Sequence, residues 1–309
     1  MELRQLEYFV TVAEEANFTR AAERVHISQS GVSAQVKALE NELGADLFDR
    51  SGRSATLTPA GKAALPHART ALAAADAMRG AVDEVNGLVR GHLTAGMVKG
   101  CEVAPWFAAL AGFHRRHPGI GIELREDNSD VLIAEVRAGS SDIALVGIAG
   151  KPPPGLAVEI IISEGLAAIV GPDHPLAAAR GGQGDAGGGR KRDEGIGLAE
   201  LVTYPLVALP QGTGIRSVLD QAAAAAGHKP HIALEASSPT AVADLGARGL
   251  GVAVLSRSMA AGLTATHPDM AAIPIAGIDI PALLALVWRP RPSPAVRAFL
   301  TNCRAAFEM

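Results

Sequence analysis

Cysteine is nearly absent: the 309 residues hold two, Cys101 and Cys303. Two thiols so far apart exclude a disulfide scaffold and a zinc site built from four cysteines. The nine histidines show no metal-ligand spacing of the His-Glu-x-x-His kind. His114 and His117, three apart at a helix end, read as partners of the helix dipole. No run of roughly 18 apolar residues occurs, so no membrane-spanning helix is expected. The start, Met1-Glu2-Leu3-Arg4-Gln5, enters an amphipathic helix without a signal-peptide pattern, and a cytoplasmic protein is expected. Catalytic signatures are missing too. There is no Gly-x-Ser-x-Gly elbow, no phosphate loop and no recognisable carboxylate pair, and the glycines Gly246, Gly249 and Gly251 precede a strand rather than follow one. Neither an enzyme nor a bound cofactor is expected.

What is present is concentrated near the N-terminus. Residues 17–62 read as a helix, a short turn, a second helix and a basic loop, an arrangement that places a helix in the DNA major groove. At ~100° per residue, Val32, Val36, Leu39 and Leu43 share one face of the second helix. Upstream, Leu3, Leu6, Phe9, Val10 and Ala13 recur at helical spacing as its expected packing partner. The opposite face carries Ser30, Ser33, Ala34, Lys37 and Asn41. Short hydroxyls, an amide and one lysine meet phosphates and base edges without steric conflict. Ser28 or Ser30 is placed to cap the helix. Gln29, Ser30, Ser33, Gln35 and Lys37 are therefore the candidate groove residues. Gly44 fits a C-terminal cap, and Arg50 and Arg53 flank a Ser51-Gly52 turn as candidate wing contacts. Residues 1–62 hold seven Lys/Arg against nine Asp/Glu. Affinity for double-stranded DNA is thus expected from local patches and dimerisation, not from bulk charge.

Five blocks stand in order: Phe18-Thr19-Arg20-Ala21-Ala22-Glu23, Ser28-Gln29, Leu39-Glu40-Asn41-Glu42-Leu43-Gly44, Leu47-Phe48-Asp49-Arg50 and Leu57-Thr58-Pro59-Ala60-Gly61. This segment closely resembles the winged helix-turn-helix of LysR-type transcriptional regulators. It departs from that pattern at Ser30, where the family usually has proline, and at Ala34, where it often has arginine. The second change removes a long donor from the groove-facing surface, so no relative's operator sequence carries over.

Thr58-Pro59 then reads as the N-cap and first-turn proline of an alanine-rich helix reaching about Val89. Leu65, Ala68, Leu72, Ala75, Met78, Val82, Val85 and Val89 recur at about 3.5 residues, the period of a coiled-coil seam. Pro66 should kink it. The resemblance implies that this helix makes a homodimer, or a tetramer of two such dimers. It also implies RNA polymerase as a further partner if the protein is an activator.

From residue 92 the chain alternates expected strands (92–98, 121–126, 142–146, 157–170, 206–209, 231–235, 251–255, 271–275, 283–287) with expected helices (104–116, 130–138, 215–226, 239–247, 294–307). That alternation argues for parallel α/β sheets with covered faces, and the length argues for two lobes. The resemblance implies a periplasmic-binding-protein-like effector domain with two crossover strands. The fold read from the sequence is α/β with an all-α N-terminal part. It has a winged helix-turn-helix at 1–58, a linker and dimerisation helix at 59–90 and an effector-binding domain at 91–309. Lobe I is about 92–162 and 267–309, lobe II about 163–266.

Open α/β sheets take ligands beyond the carboxyl ends of their strands. Val98, Lys99, Gly100 and Cys101 stand there, as do Asn128 and Ser129, Gln211 and Thr213, and Ser237 and Thr240. Loop polar groups, helix N-terminal amides and Lys99 favour a small anionic effector. Cys101, at a helix N-terminus beside Lys99, has two features that lower a thiol pKa, and a thiol-based redox-sensing regulator is the alternative. Residues 179–197, glycine-rich and charged without periodicity, resemble an insertion and are expected to form a flexible loop.

Overall fold

The computed structural model describes residues 1–49, 54–85, 91–177, 195–267 and 269–308. The expected wing contacts Arg50 and Arg53, their turn, and most of the 179–197 segment lie outside the described residues.

The N-terminal domain holds α1 (Leu3–Glu15), α2 (Phe18–Arg24), α3 (Gln29–Leu43), the hairpin strands β1 (Phe48–Asp49) and β2 (Thr56–Leu57), and the start of α4 (Pro59–Val85). Local chemistry sets the helix starts. The Asn17 side chain accepts from the Thr19 and Arg20 amides, and Ser28 from the Gly31 amide. The core joins Leu6, Phe9 and Val12 to Val32, Val36 and Leu39, with Phe48 edge-on to Phe9 and Phe18 at 5.6 and 5.5 Å. Two expected core residues are outside it: Leu3 and Leu43 are 44% and 48% exposed. Leu43 ends α3, where Gly44 turns the chain away in a left-handed C-cap, and the buried stripe runs through Glu40 instead.

The linker helix departs from its expected use. Ala68 is buried, and Leu65 and Leu72 partly buried, against the core of their own domain, so the first third of the seam is consumed within the chain. Contact there is close: a Cβ on Gly61 would lie 2.1 Å from the Leu47 carbonyl oxygen. Further along, Met78 is 67% exposed. The side chains of Val82 and Val85, and all of Val89, lie outside the described residues.

Lobe I is a five-stranded sheet in the order β4 (Ile120–Asp127), β3 (Gly91–Val98), β5 (Ile143–Ala149), β13 (Ala282–Trp288), β6 (Ala157–Glu164). Helices α5 (Ala104–Arg116), α6 (Ser129–Ala138) and α11 (Pro294–Ala306) pack on it, with Trp106 and Phe113 each edge-on to Phe299 at 5.3 Å. Lobe II is a six-stranded sheet in the order β10 (Ile232–Glu235), β9 (Leu206–Ala208), β11 (Val252–Ser256), β7 (Leu166–Val170), β12 (Ala271–Ala276), β8 (Ile196–Gly197). Its helices are α7 (Leu198–Leu201), α8 (Gly214–Ala225), α9 (Pro239–Ala247) and α10 (Arg257–Thr266).

Three expectations need correction. The sheets are mixed, not parallel: β13 runs antiparallel to β5 and β6, and β7 antiparallel to β11 and β12. The expected single strand 157–170 is two strands in different sheets, broken at Gly165 where the chain crosses between lobes. The second crossing lies after β12, which pairs with β7 and β8, so lobe II extends to Ala276 rather than ending at 266. Two lobes with two crossings stand as expected.

Candidate DNA interface and effector cleft

On α3 the residues chosen from the sequence occupy the side away from the core. Gln29, Ser30, Gln35 and Lys37 are exposed, and Ser33 is half-buried. Ser28, not Ser30, is the cap, with the two hydroxyls 3.2 Å apart. Lys37 is not a free cation. Its ammonium bonds Asp46 at 2.8 Å and lies 3.7 Å from Glu40. A groove of about 600 Å³ opens beside this cluster, with Lys37, Asp46, Asp49 and Thr56 on its walls. Two of the domain's acids are paired on α1. Arg24 contacts Glu14 and Glu15 at 3.0 and 3.2 Å, and Arg69 of α4 contacts Glu14 at 3.1 Å. These pairs link α2 and α4 to α1, and the first turn of α3 carries no acidic residue.

In the effector domain the four loops picked from the sequence meet in two pairs across the lobes. In the first pair, the Gly100 turn (φ 69°) lies against Ser237 and Ser238, a Cβ there falling 3.0 Å from the Ser237 carbonyl oxygen, and Thr240 donates to Glu102 at 3.1 Å. In the second pair, the Asn128 side chain donates to the Gln211 carbonyl at 3.2 Å, and the Asp130 amide to the Gly212 carbonyl at 3.3 Å. Val98 is half-buried at the end of β3. Lys99 is exposed but bonded to Asp127 at 2.8 Å, and that ammonium, with the Asn128 amide, holds the Asp127 carboxyl below the usual carboxylate range. Ser129 is buried, its hydroxyl accepting from the Gly147 amide at 3.0 Å, and so faces β5 rather than an open cleft. The Thr213 hydroxyl donates to the Pro210 carbonyl at 2.8 Å.

One organising residue escaped the sequence reading. Arg216, in the first turn of α8, is 7% exposed. Its guanidinium bonds Asp220 at 3.0 Å, Glu235 at 2.5 Å and the Leu209 carbonyl at 3.3 Å, tying the ends of β9 and β10 together. Its signal was available as an arginine inside an apolar helix with an acid four residues on.

The thiol expectation reverses sign. Burial is the largest effect and pushes the Cys101 thiol up; the bond from the Val103 amide opposes it, and Glu126 and Glu102 add smaller upward pushes. Lys99, the expected activator, is engaged by Asp127. Cys303, fully buried, is pushed up from 9.0 to about 12 by burial. Because its folded-state value lies above the unfolded one, its contribution to stability is complete below pH 9 and is lost as pH rises toward 12. Iodoacetamide at pH 7, mapped by mass spectrometry, is expected to label Cys101 slowly and Cys303 only after unfolding. Rapid labelling of Cys101 at pH 7 would reinstate the redox reading.

A helix-turn-helix with a polar exposed face, joined by a long helix to a two-lobed α/β domain, defines a transcriptional regulator with an effector-binding domain. The chain matches the family models "Bacterial regulatory helix-turn-helix protein, lysR family" over residues 3–62 and "LysR substrate binding domain" over residues 86–184 and 189–308. It belongs to the LysR family of DNA-binding transcriptional regulators, and that family's members here are regulators rather than enzymes. It is 32% identical to the RuBisCO operon transcriptional regulator of Allochromatium vinosum over 260 residues, covering 83% of this chain and 80% of the relative. Among solved structures it is similar to a full-length OxyR variant from Pseudomonas aeruginosa, with 26% identity, TM-score 0.72, and 98% and 95% of the two chains covered. It is also similar to full-length CbnR complexed with its target DNA, with 26% identity, TM-score 0.58, and 99% and 100% covered. No described helix is long and apolar enough to cross a membrane.

Proposed function

We propose that α3 enters the major groove with Gln29, Ser30, Ser33, Gln35 and Lys37 toward bases and phosphates, that Arg50 and Arg53 contact the backbone beside it, and that a small anionic effector bound between the lobes switches the DNA complex. The anion reading rests on the four helices that begin at the inter-lobe loops. Of their N-caps, Asn128, Thr213 and Ser238 could cap but make no side-chain cap bond, and Val103 has no acceptor to offer, whereas the polar N-caps Asn17, Ser28, Ser256 and Ser293 cap helices elsewhere. Helix N-termini spared a side-chain cap favour an anion that takes its place. The effector then draws Lys99 from Asp127 and shifts the balance between lobe arrangements, which reorients paired DNA-reading heads. Dimerisation runs through α4 beyond Ala75, since the earlier seam is taken, and pairing of dimers gives a tetramer. An activator would also contact RNA polymerase.

The test is a gel shift of the full chain against the DNA upstream of its own gene, titrated with small mono- and dicarboxylates. A wild-type shift is expected, altered by one such acid, with the alteration and not the shift lost in Lys99→Gln. A panel of carboxylates without effect would remove the anionic effector. A missing shift at low salt, followed by an empty genome-wide pull-down, would remove the assigned DNA face.

A further inference from the structure

We propose that Glu40 is a positioning residue that fixes the β1–β2 hairpin against the recognition helix, an inference that rests on α3 being the groove helix. Glu40 stands in the last turn of α3 with its side chain 1% exposed. A carboxylate there is out of water and at the negative end of the helix dipole, two unfavourable placements at once. What offsets them is a set of N–H donors. Its side-chain Oε1 accepts from the Leu47 amide at 2.8 Å and the Phe48 amide at 3.2 Å. Its backbone carbonyl accepts from the Gly44 amide, as the helix cap, and from the Ala45 amide at 3.1 Å. One residue therefore takes four N–H groups of the segment that leaves α3 and enters β1.

The hairpin is closed onto the same segment from the other side. The Thr58 amide donates to the Leu47 carbonyl at 3.0 Å, and the Thr58 hydroxyl to the Asp46 carbonyl at 2.7 Å. An apolar side chain at position 40 would pack as well on Leu39 and Leu47 but would leave two buried amides without acceptors. The arrangement suits a requirement of docking. α3 and the hairpin must meet one duplex together, and a small error in the angle between them separates one from its phosphates while the other stays seated. Lys37, 3.7 Å from Oε2, places this anchor next to a candidate groove contact.

Two variants separate positioning from simple stability. Glu40→Gln keeps an oxygen acceptor for both amides and removes the charge; Glu40→Met removes the acceptor and keeps the bulk. The full chain is used, on a duplex selected by the wild type from a random-sequence library, with affinity and hydroxyl-radical footprints measured. Glu40→Gln is expected to bind within about threefold with the full footprint. Glu40→Met is expected to bind about 30-fold more weakly, the scale of losing such a bond pair, and to lose the flanking protections while keeping those of the central groove. Full affinity and footprint in Glu40→Met would overturn the proposal, as would equal losses in both variants. Should Glu40→Met not fold, amide exchange decides: slow exchange at Leu47 and Phe48 in both wild type and Glu40→Gln supports it, and fast exchange in the wild type overturns it. Failure of the wild type to select any sequence would instead strike the groove assignment of α3, and the exchange measurement would still judge Glu40.

Discussion

Ser33→Glu should abolish operator binding while leaving the protein folded. Ser33 is half-buried on α3, at the border between the buried face of Val32 and Val36 and the exposed face, one turn from both Gln29 and Lys37. A carboxylate at this position faces phosphate and the electronegative base edges, and like-charge juxtaposition in a desolvated interface costs several kcal/mol. An affinity loss of at least about 100-fold, or about 2.8 kcal/mol, is expected. The fold should survive because glutamate is a good helix former and a carboxylate four residues before Lys37 is a favourable helical pair. It also draws Lys37 from Asp46, so the lysine is lost to the DNA as well. Ser33→Ala, which removes only a hydroxyl, should stay within about tenfold of wild type. Fluorescence anisotropy on a selected duplex, with circular dichroism as the folding control, reads both. Unchanged affinity in Ser33→Glu would mean that another face of the domain meets the DNA.

That prediction was available from sequence because helix starts and polar faces are written locally. Ser28 followed by a 15-residue amphipathic segment fixes α3 without help from the rest of the chain. The buried runs of β7 and β11 were equally visible, since a strand covered on both faces reads as an unbroken apolar stretch. Their direction was not, because reversal depends on where the chain crosses between lobes, and Gly165 carries no mark of that in its neighbours. The start of the linker seam could not be assigned from its period for a physical reason: alanines and leucines so spaced pack equally well on the chain's own domain, and Leu65, Ala68 and Leu72 do. α10 was missed because, among its residues, only Ala260 is fully buried, and its apolar face, Met259, Ala260 and Leu263, is short and only partly covered. At the candidate sites the sequence singled out loops that the fold brings together in pairs, but not their electrostatics. Lys99 meets Asp127 from 28 positions away and Lys37 meets Asp46 across a turn, so both cations read as available when each already has an acid. Glu40 was hidden by its type, since an acid in a helix is ordinarily a solvated residue.

Gly214→Ala should cost the effector domain about 3 kcal/mol, and Gly147→Ala far less. The two glycines form a close backbone approach between the lobes: α8 begins at Gly214, over β5 at Gly147. A Cβ on Gly214 would sit 2.4 Å from the carbonyl carbon of Gly147 and 2.6 Å from the amide nitrogen of Ile148, and neither backbone atom is able to yield alone. A Cβ on Gly147 would meet nothing nearer than 3.4 Å, an ordinary contact. The sign at position 214 is decided by magnitude. Alanine in place of glycine in a helix gains up to about 1 kcal/mol from propensity, whereas overpacking against a fixed backbone costs about 1–3 kcal/mol or more. The clash should prevail because Val218, Leu219 and Ala222 of the same helix are buried in lobe II, so α8 cannot back away without opening that core. In a domain of this size the melting transition should fall by about 6–12 °C for Gly214→Ala and by about 2 °C or less for Gly147→Ala. Because the loop carrying Gln211 and Thr213 leads into α8, the response to effector should weaken with it. Equal melting temperatures for wild type and Gly214→Ala would show that the lobes do not meet through these two glycines in solution. That result would move the resting arrangement of the cleft to one in which Asn128 and Gln211 stand apart.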